Sequence, residues 1–73
     1  LDCLDPSAFP GTGTPEAGGV NFQSLLEAIL LVGKTNIVGA DVNELAPMLD
    51  ASGASTAVAC KVLREMLLAV YGE

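Results

Sequence analysis

Acidic side chains at three places in this 73-residue sequence have the types and spacing that could do chemistry. They are Asp2 with Asp5, Asp41 with Glu44, and Asp50. In open parallel sheets, ligands bind beyond the carboxyl ends of the strands, and Asp2 and Glu44 each stand where a strand could end. If those strands are neighbours, their backbones lie about 4.8 Å apart, and two carboxylates that close repel each other. A hard cation or a cationic substrate group would relieve that repulsion.

Each of these acids also has a structural interpretation. Asp5 precedes a proline, and an aspartate there commonly starts a turn by accepting hydrogen bonds from backbone amides. Asp41, at a strand end, is typical of a hydrogen-bond anchor, and Asp50 is equally suited to a turn before a helix. From spacing alone, a functional role for Asp2 or Glu44 is no better founded than a structural one.

Composition excludes several classes of site and partner. The sequence has no histidine, which removes Ser–His and Cys–His catalytic sites and histidine-containing zinc sites from this chain. Its net charge of −6 argues against nucleic acid, which is bound through clustered lysine and arginine. The longest apolar run, residues 25–32, is interrupted by Glu27 and falls short of the ~20 residues that span a bilayer. We therefore expect a soluble cytoplasmic protein with no nucleic-acid and no membrane partner.

The glycine-rich stretch at residues 10–15 (PGTGTP) does not match a nucleotide-binding loop. It lacks the Lys-Ser/Thr pair of a phosphate loop and the GxGxxG pattern of a dinucleotide fingerprint. Thr12 and Thr14 either orient a ligand by hydrogen bonding or only satisfy the loop, and the pattern leaves both interpretations open.

Residues 1–20 are predicted to form a loop and residues 21–33 a helix. Three prolines and four glycines interrupt the first nineteen residues without any helical or strand period, which favours a fixed loop. Asn21 is suited to the N-cap of the helix, and Gly33 can stop it because glycine tolerates a positive φ. The helix is apolar around most of its circumference, so we expect it to be covered on more than one side.

A strand is predicted at residues 36–42 and a second helix at residues 55–70. The strand run lacks polar alternation, which favours a parallel strand buried on both faces. Ser52 or Ser55 can cap the last helix. Both cysteines are expected to be reduced, with Cys60 packed within that helix. The order of elements indicates the end of an alternating α/β fold, with the rest of the sheet lying outside these residues.

Several motifs, in the same order, resemble the late segment of ureohydrolases, the arginase/agmatinase family. They are residues 1–6 (LDCLDP), 10–16 (PGTGTPE), 18–19 (GG), 39–47 (GADVNELAP), Asp50 and 56–57 (TA). The resemblance extends over essentially the whole chain and favours agmatinase-like members over arginase itself. It implies that residues 1–73 are the C-terminal segment of one three-layer α/β/α domain with a parallel sheet, in which residues 1–20 form a metal and substrate loop.

The resemblance also implies a catalytic site. Enzymes of this family hold two manganese ions at the carboxyl ends of the central strands and activate a bridging hydroxide that attacks a guanidinium carbon. Asp2 matches a metal ligand, and Asp5 matches an acid with a structural role. Glu44 matches the glutamate that receives the substrate guanidinium, and Thr14 matches a threonine close to that glutamate. Hard oxygen ligands suit Mn²⁺, and a carboxylate pairs with a planar guanidinium through charge-assisted hydrogen bonds.

The implied activity is manganese-dependent hydrolysis of a guanidino compound, agmatine-like or arginine, to urea and an amine, as in polyamine metabolism. The family's other metal ligands and its proton-shuttling histidine are not matched here, so the remaining N-terminal part of the enzyme is the expected partner. We expect the isolated chain to be inactive and to associate or be partly unfolded, and the whole enzyme to be a homo-oligomer. The alternative is a non-catalytic truncated module that docks through its apolar helix faces.

Overall fold

Two helices and a long N-terminal loop make up most of the molecule. The computed structural model describes residues 1–72 of the chain. Helix α1 spans Phe22–Val32, helix α2 spans Ala54–Tyr71, and a single 3-10 turn at Pro47–Leu49 lies between them. The two helices pack against each other, and the N-terminal loop packs against α2 through the hydrophobic core.

Helix α1 begins and ends where its sequence predicts, although the reason for its end is different. The side chain of Asn21 accepts a hydrogen bond from Ser24 N at 2.8 Å, which confirms the predicted N-cap. Gly33 follows the last helical residue but has a φ of −61°, so the expectation that it uses a positive φ is wrong. A Cβ atom at Gly33 would lie 2.8 Å from the Cβ of Ala69. Glycine is needed here because α1 and α2 approach each other closely at this point.

The core joins the N-terminal loop to α2. Leu4, Phe9 and Ala59 form its buried cluster, and the Phe9 side chain has 0% exposure. Burial of large apolar side chains is the dominant favourable term in folding, and here two of the three belong to a segment rich in proline and glycine. Leu4 and Phe9 thus attach the N-terminal loop to the helix, and residues 1–20 contain neither a helix nor a strand ladder.

The predicted strand at residues 36–42 does not form within residues 1–72. Residues 36–46 contain no turn or bend, but they pair with no other segment as a ladder. The β pairing in the described part of the chain is an isolated parallel bridge between Leu4 and Val20. A strand is stabilised by the hydrogen bonds and cross-strand contacts of a neighbouring strand, and these residues supply no such neighbour for 36–42.

The exposure of side chains on the two helices contradicts two further expectations. Helix α1 has no buried residue in the described structure, and Leu31 on it is 65% exposed, so α1 is not covered on more than one side by residues 1–72. Cys60 lies in α2 as a free thiol, but it is exposed rather than packed, as is Cys3. No helix within residues 1–72 is both long enough and apolar enough to cross a membrane.

Candidate functional site

Asp2 and Glu44 lie at the same edge of the molecule. The backbone nitrogen of Leu1 donates a hydrogen bond to the carbonyl oxygen of Asn43 at 3.2 Å, and each of the two acids is the next residue in its own segment. Both side chains are exposed. Neither carboxylate takes part in a hydrogen bond or an ion pair with the described residues. The backbones that precede Asp2 and Glu44 are therefore hydrogen-bonded to each other, although neither acid ends a strand within residues 1–72.

The backbone of Glu44 is in a left-handed conformation. Its φ is +80°, and it is the one residue other than glycine with a positive φ in the described range. Such a conformation costs of order 1–3 kcal/mol for a residue with a side chain, and it is found preferentially at active sites and ligand clamps. The strain at Glu44 therefore supports a functional interpretation of this acid over a structural one.

The glycine-rich loop is hydrogen-bonded to the segment that carries Glu44. The carbonyl oxygen of Gly11 accepts from Ala46 N at 2.7 Å. Thr14, three residues further along the loop, has an exposed side chain. Thr12 is only 2% exposed, and its hydroxyl has no hydrogen-bond partner among the described residues. Of the two threonines, Thr14 is thus the one whose side chain is accessible to a small molecule.

Asp50 organises the start of α2. One of its carboxylate oxygens accepts from Ser52 N at 3.1 Å and from Ser52 Oγ at 2.6 Å. The other accepts from Ser55 N at 2.8 Å and from Ser55 Oγ at 2.6 Å. These four hydrogen bonds, led by that from the Ser52 hydroxyl, hold the pKa of Asp50 well below its usual range. The N-cap residue itself is Gly53, which makes no side-chain capping bond, so the expectation that Ser52 or Ser55 is the N-cap is wrong. The first amides of the helix are instead bound by the ionised Asp50 and by Ser52, whose hydroxyl accepts from Ala54 N at 3.1 Å.

Ser55 joins this cap to the glycine-rich loop. Its side chain is fully buried, and its Oγ accepts a hydrogen bond from Gly11 N at 2.8 Å. The sequence indicates Ser55 as a capping candidate, and the Asp50–Ser52–Ser55 spacing is typical of local side-chain-to-backbone bonding. Its contact with Gly11, however, joins residues 44 positions apart, and no local pattern indicates it.

Asp5 has the structural role that its place before a proline predicts. Its carboxylate accepts hydrogen bonds from the hydroxyl of Ser7 at 2.5 Å, from Ser7 N at 2.9 Å and from Gly18 N at 2.9 Å. These bonds, the Ser7 hydroxyl first, lower the pKa of Asp5 to about 2. Asp5 therefore closes the loop of residues 5–18 and has little capacity left for another ligand.

The remaining acid, Asp41, does not anchor a hydrogen bond. Its side chain is exposed and accepts no hydrogen bond from residues 1–72, so the expectation of an anchor is not met. No group of three metal-ligating side chains occurs in the part of the chain that the structure describes. A metal ion held by Asp2 would therefore need further ligands from outside these residues.

The sequence of the chain is similar to those of known enzymes. The model of the arginase family matches residues 1–69. The chain is 49% identical over 70 residues to the agmatinase of Halalkalibacterium halodurans, covering 93% of this chain and 24% of that protein. The chain thus spans about a quarter of the length of the curated relatives it matches.

Solved structures of two other hydrolases superimpose on the chain. Proclavaminate amidino hydrolase from Streptomyces clavuligerus superimposes with a TM-score of 0.89 at 36% identity, covering 94% of this chain and 23% of that one. Formimidoylglutamase from Bacillus subtilis superimposes with a TM-score of 0.84 at 31% identity, covering 94% and 22%. The segment therefore has the fold of arginase-type hydrolases.

Proposed function

The chain belongs to the arginase family, and from that premise we propose that it is the C-terminal segment of a manganese-dependent enzyme that hydrolyses a guanidino compound to urea and an amine. The observation that supports the proposal is that the carboxylates of Asp2 and Glu44 accept no hydrogen bond from the described residues, while the residues that precede them, Leu1 and Asn43, are hydrogen-bonded through their backbones. Agmatine is the substrate we favour, because the relatives of 43–49% identity are agmatinases; arginine is the second choice.

Glu44 is proposed to bind the guanidinium group. A carboxylate accepts two parallel charge-assisted hydrogen bonds from a planar guanidinium, and that of Glu44 has no competing partner in residues 1–72. The left-handed backbone supports this role, since an exposed acid without a function has no reason to keep a strained conformation. Thr14 is proposed to contribute its hydroxyl to the same substrate, because its side chain is exposed on a loop hydrogen-bonded to the segment of Glu44.

Asp2 is proposed to be a ligand of one manganese ion. Its carboxylate is exposed and accepts no hydrogen bond from the described residues, so both oxygens are available to a hard cation, and carboxylate oxygen suits Mn²⁺. The chemistry that Mn²⁺ supplies when bound is Lewis acidity and a nucleophile at neutral pH. The other ligands of a two-ion site would come from the remaining N-terminal part of the enzyme.

Exposed apolar surface supports a large partner for this segment. A groove of about 340 Å³ lies between α1, α2 and residues 37–40, and its lining is almost wholly apolar. Val38, which stands in sequence between two of the lining residues, Ile37 and Gly39, is 92% exposed. Soluble proteins rarely leave contiguous apolar surface uncovered, so we propose that the rest of the enzyme, including the missing neighbours of residues 36–42, covers this face. The cytoplasmic location and the homo-oligomeric state stay predictions.

A chimeric enzyme tests the proposed function. In this chimera, residues 1–73 replace the matching segment of the Halalkalibacterium halodurans agmatinase, so that this chain supplies its quarter of a whole enzyme. With Mn²⁺ we expect urea release from agmatine and a smaller rate with arginine. A folded chimera that binds Mn²⁺ but releases no urea from either compound would overturn the proposal and favour the non-catalytic module.

Two substitutions in the chimera separate the proposed roles. Glu44→Gln removes the negative charge that pairs with the guanidinium, so kcat/KM should fall by about 10- to 150-fold, from ~1.5–3 kcal/mol for a charged hydrogen bond, with the manganese content unchanged. Asp2→Asn should instead lower the manganese content measured after dialysis. Asp41→Asn is the matched control, because Asp41 is exposed and accepts no hydrogen bond in the described chain. Loss of metal in Glu44→Gln would contradict its assignment to substrate.

A further inference from the structure

We propose that Ser55 and Asp50 are positioning residues for the guanidino hydrolysis, because they hold the glycine-rich loop and the segment of Glu44 in one arrangement through Gly11. The inference rests on the proposed function and assigns a role to residues that lie away from the proposed metal and substrate contacts. We refer to Asp50, Ser55 and Gly11 together as the Gly11 clamp.

The first part of the clamp is the bond between α2 and the loop. Gly11 N donates to Ser55 Oγ at 2.8 Å in a buried environment, and Ser55 has 0% exposure. A Cβ atom on Gly11 would lie 2.7 Å from the Cβ of Ser55, so the contact exists only because residue 11 has no side chain. The loop is therefore seated directly on the first turn of the helix.

The second part is the orientation of the Ser55 hydroxyl. A serine has one O–H donor and two acceptor lone pairs. The donor is directed to the carboxylate of Asp50 at 2.6 Å, which leaves a lone pair for Gly11 N–H. The same carboxylate oxygen also accepts from Ser55 N at 2.8 Å, so its position relative to Ser55 is fixed without the bonds from Ser52, which go to the other oxygen. The carboxylate thus determines the direction in which Ser55 accepts.

The third part connects Gly11 to both proposed substrate residues. The Gly11 carbonyl accepts from Ala46 N at 2.7 Å, and Ala46 is two residues after Glu44. Thr14 lies three residues after Gly11 within the glycine-rich loop. One glycine, bonded through its N–H to α2 and through its C=O to the segment of Glu44, therefore links Glu44 and Thr14. Misplacement of reacting groups by 1 Å can cost about 100-fold in rate, so the clamp should affect turnover.

The test compares two serine substitutions in the chimera. Ser55→Ala removes the acceptor of Gly11 N–H and leaves that donor buried and unpaired. Ser52→Ala is the matched control, because Ser52 also donates to Asp50 at 2.6 Å but is exposed and does not contact Gly11. We expect kcat/KM for agmatine to fall by about 10- to 100-fold in Ser55→Ala and by less than about twofold in Ser52→Ala, with manganese content unchanged in both.

A positioning role also predicts that the effects of Ser55→Ala and Thr14→Val on kcat/KM are not additive, which a purely structural role of Ser55 would not produce. If Ser55→Ala already displaces the loop, adding Thr14→Val should cost much less in kcat/KM than it does alone. Additive effects of the two substitutions, or equal losses in Ser55→Ala and Ser52→Ala, would overturn the proposal. If Ser55→Ala does not fold, Asp50→Ala replaces it, since it removes both carboxylate oxygens and leaves the Ser55 hydroxyl without the acceptor that orients it; an unchanged kcat/KM in Asp50→Ala would likewise overturn the proposal.

A readout without turnover keeps this inference separate from the proposed function. Hydrogen exchange of the peptide containing residues 10–15 should become faster in Ser55→Ala but not in Ser52→Ala, whether or not the parent chimera releases urea. If the parent releases no urea but exchange follows this pattern, the proposed function fails and the clamp geometry stands. If exchange at residues 10–15 does not change in Ser55→Ala, the clamp itself is wrong.

Discussion

Replacing Gly11 with alanine is the most direct test of the contact between the N-terminal loop and α2. A Cβ atom on Gly11 lies 2.7 Å from the Cβ of Ser55 and 3.1 Å from the Cβ of Asp50, whereas ordinary van der Waals contact begins at 3.4 Å. The loop must therefore withdraw by about 0.7 Å, which is 3.4 minus 2.7. The hydrogen bond from Gly11 N to Ser55 Oγ, at 2.8 Å, would then lengthen to about 3.5 Å and be lost.

The cost of this substitution follows from those distances. Overpacking of a well-packed site costs about 1–3 kcal/mol, and a buried N–H without an acceptor costs about the same. Because one withdrawal both relieves the clash and breaks the bond, the two costs are alternatives rather than additive. Alanine lowers the entropy of the unfolded chain and offsets about 0.4–1 kcal/mol. We expect a net loss of about 1–2 kcal/mol, or a fall in Tm of about 2–8 °C for an enzyme of the chimera's size.

Gly13→Ala is the matched control, since it makes the same chemical change two residues away. A Cβ atom on Gly13 meets nothing within 4 Å in the described structure, so Tm should stay level or rise slightly. The assay is thermal denaturation of the chimera, followed by circular dichroism at 222 nm, with urea release measured in parallel. If Gly11→Ala and Gly13→Ala have the same Tm, the close approach of the loop to Ser55 is not present in the folded enzyme and the reasoning is refuted.

Three further predictions concern other contacts of the chain, each measured by thermal denaturation of the chimera. Hydrogen bonds lower the pKa of Asp5 to about 2, so the ionised carboxylate stabilises the fold above its ordinary pKa, and that stability is lost as the pH falls from about 4 towards 2. Asp5→Asn should therefore reduce the change in Tm between pH 4 and pH 2. An unchanged dependence of Tm on pH would contradict the hydrogen bonds of Asp5 in the turn. Gly33→Ala places a Cβ 2.8 Å from that of Ala69 and should cost about 1–3 kcal/mol by separating the helices; an unchanged Tm would show that they are not so close. Phe9→Ala empties a fully buried site and should cost about 3–5 kcal/mol; a loss below about 1 kcal/mol would remove Phe9 from the core.

The helices were predictable from the sequence because their signals are local. Residues 21–33 are predicted to be helical, and α1 spans Phe22–Val32 with its cap at Asn21. The second helix is predicted at 55–70, and α2 spans Ala54–Tyr71. Apolar spacing and a capping side chain act within one or two turns, so neither requires knowledge of the rest of the chain.

The strand and the core were less predictable because both depend on distant partners. Residues 36–42 have the composition of a buried strand, but a strand forms only against a neighbour, and residues 1–72 provide none for this segment. Phe9 has no periodic context in its loop, yet it is one of the most buried side chains. Its burial depends on Ala59, fifty residues later, which a reading of neighbouring residues cannot reveal.

For the site, the residue types alone determined which chemistry to consider: carboxylates at Asp2 and Glu44, a turn at Asp5 and no histidine. Those conclusions follow from the chemistry of each side chain and from motif spacing, which need no coordinates. The tertiary structure decided the rest: the left-handed backbone of Glu44 and the bonds of Gly11 to Ser55 and Ala46. Such contacts join residues tens of positions apart, and only the packing of the whole chain selects which of them form.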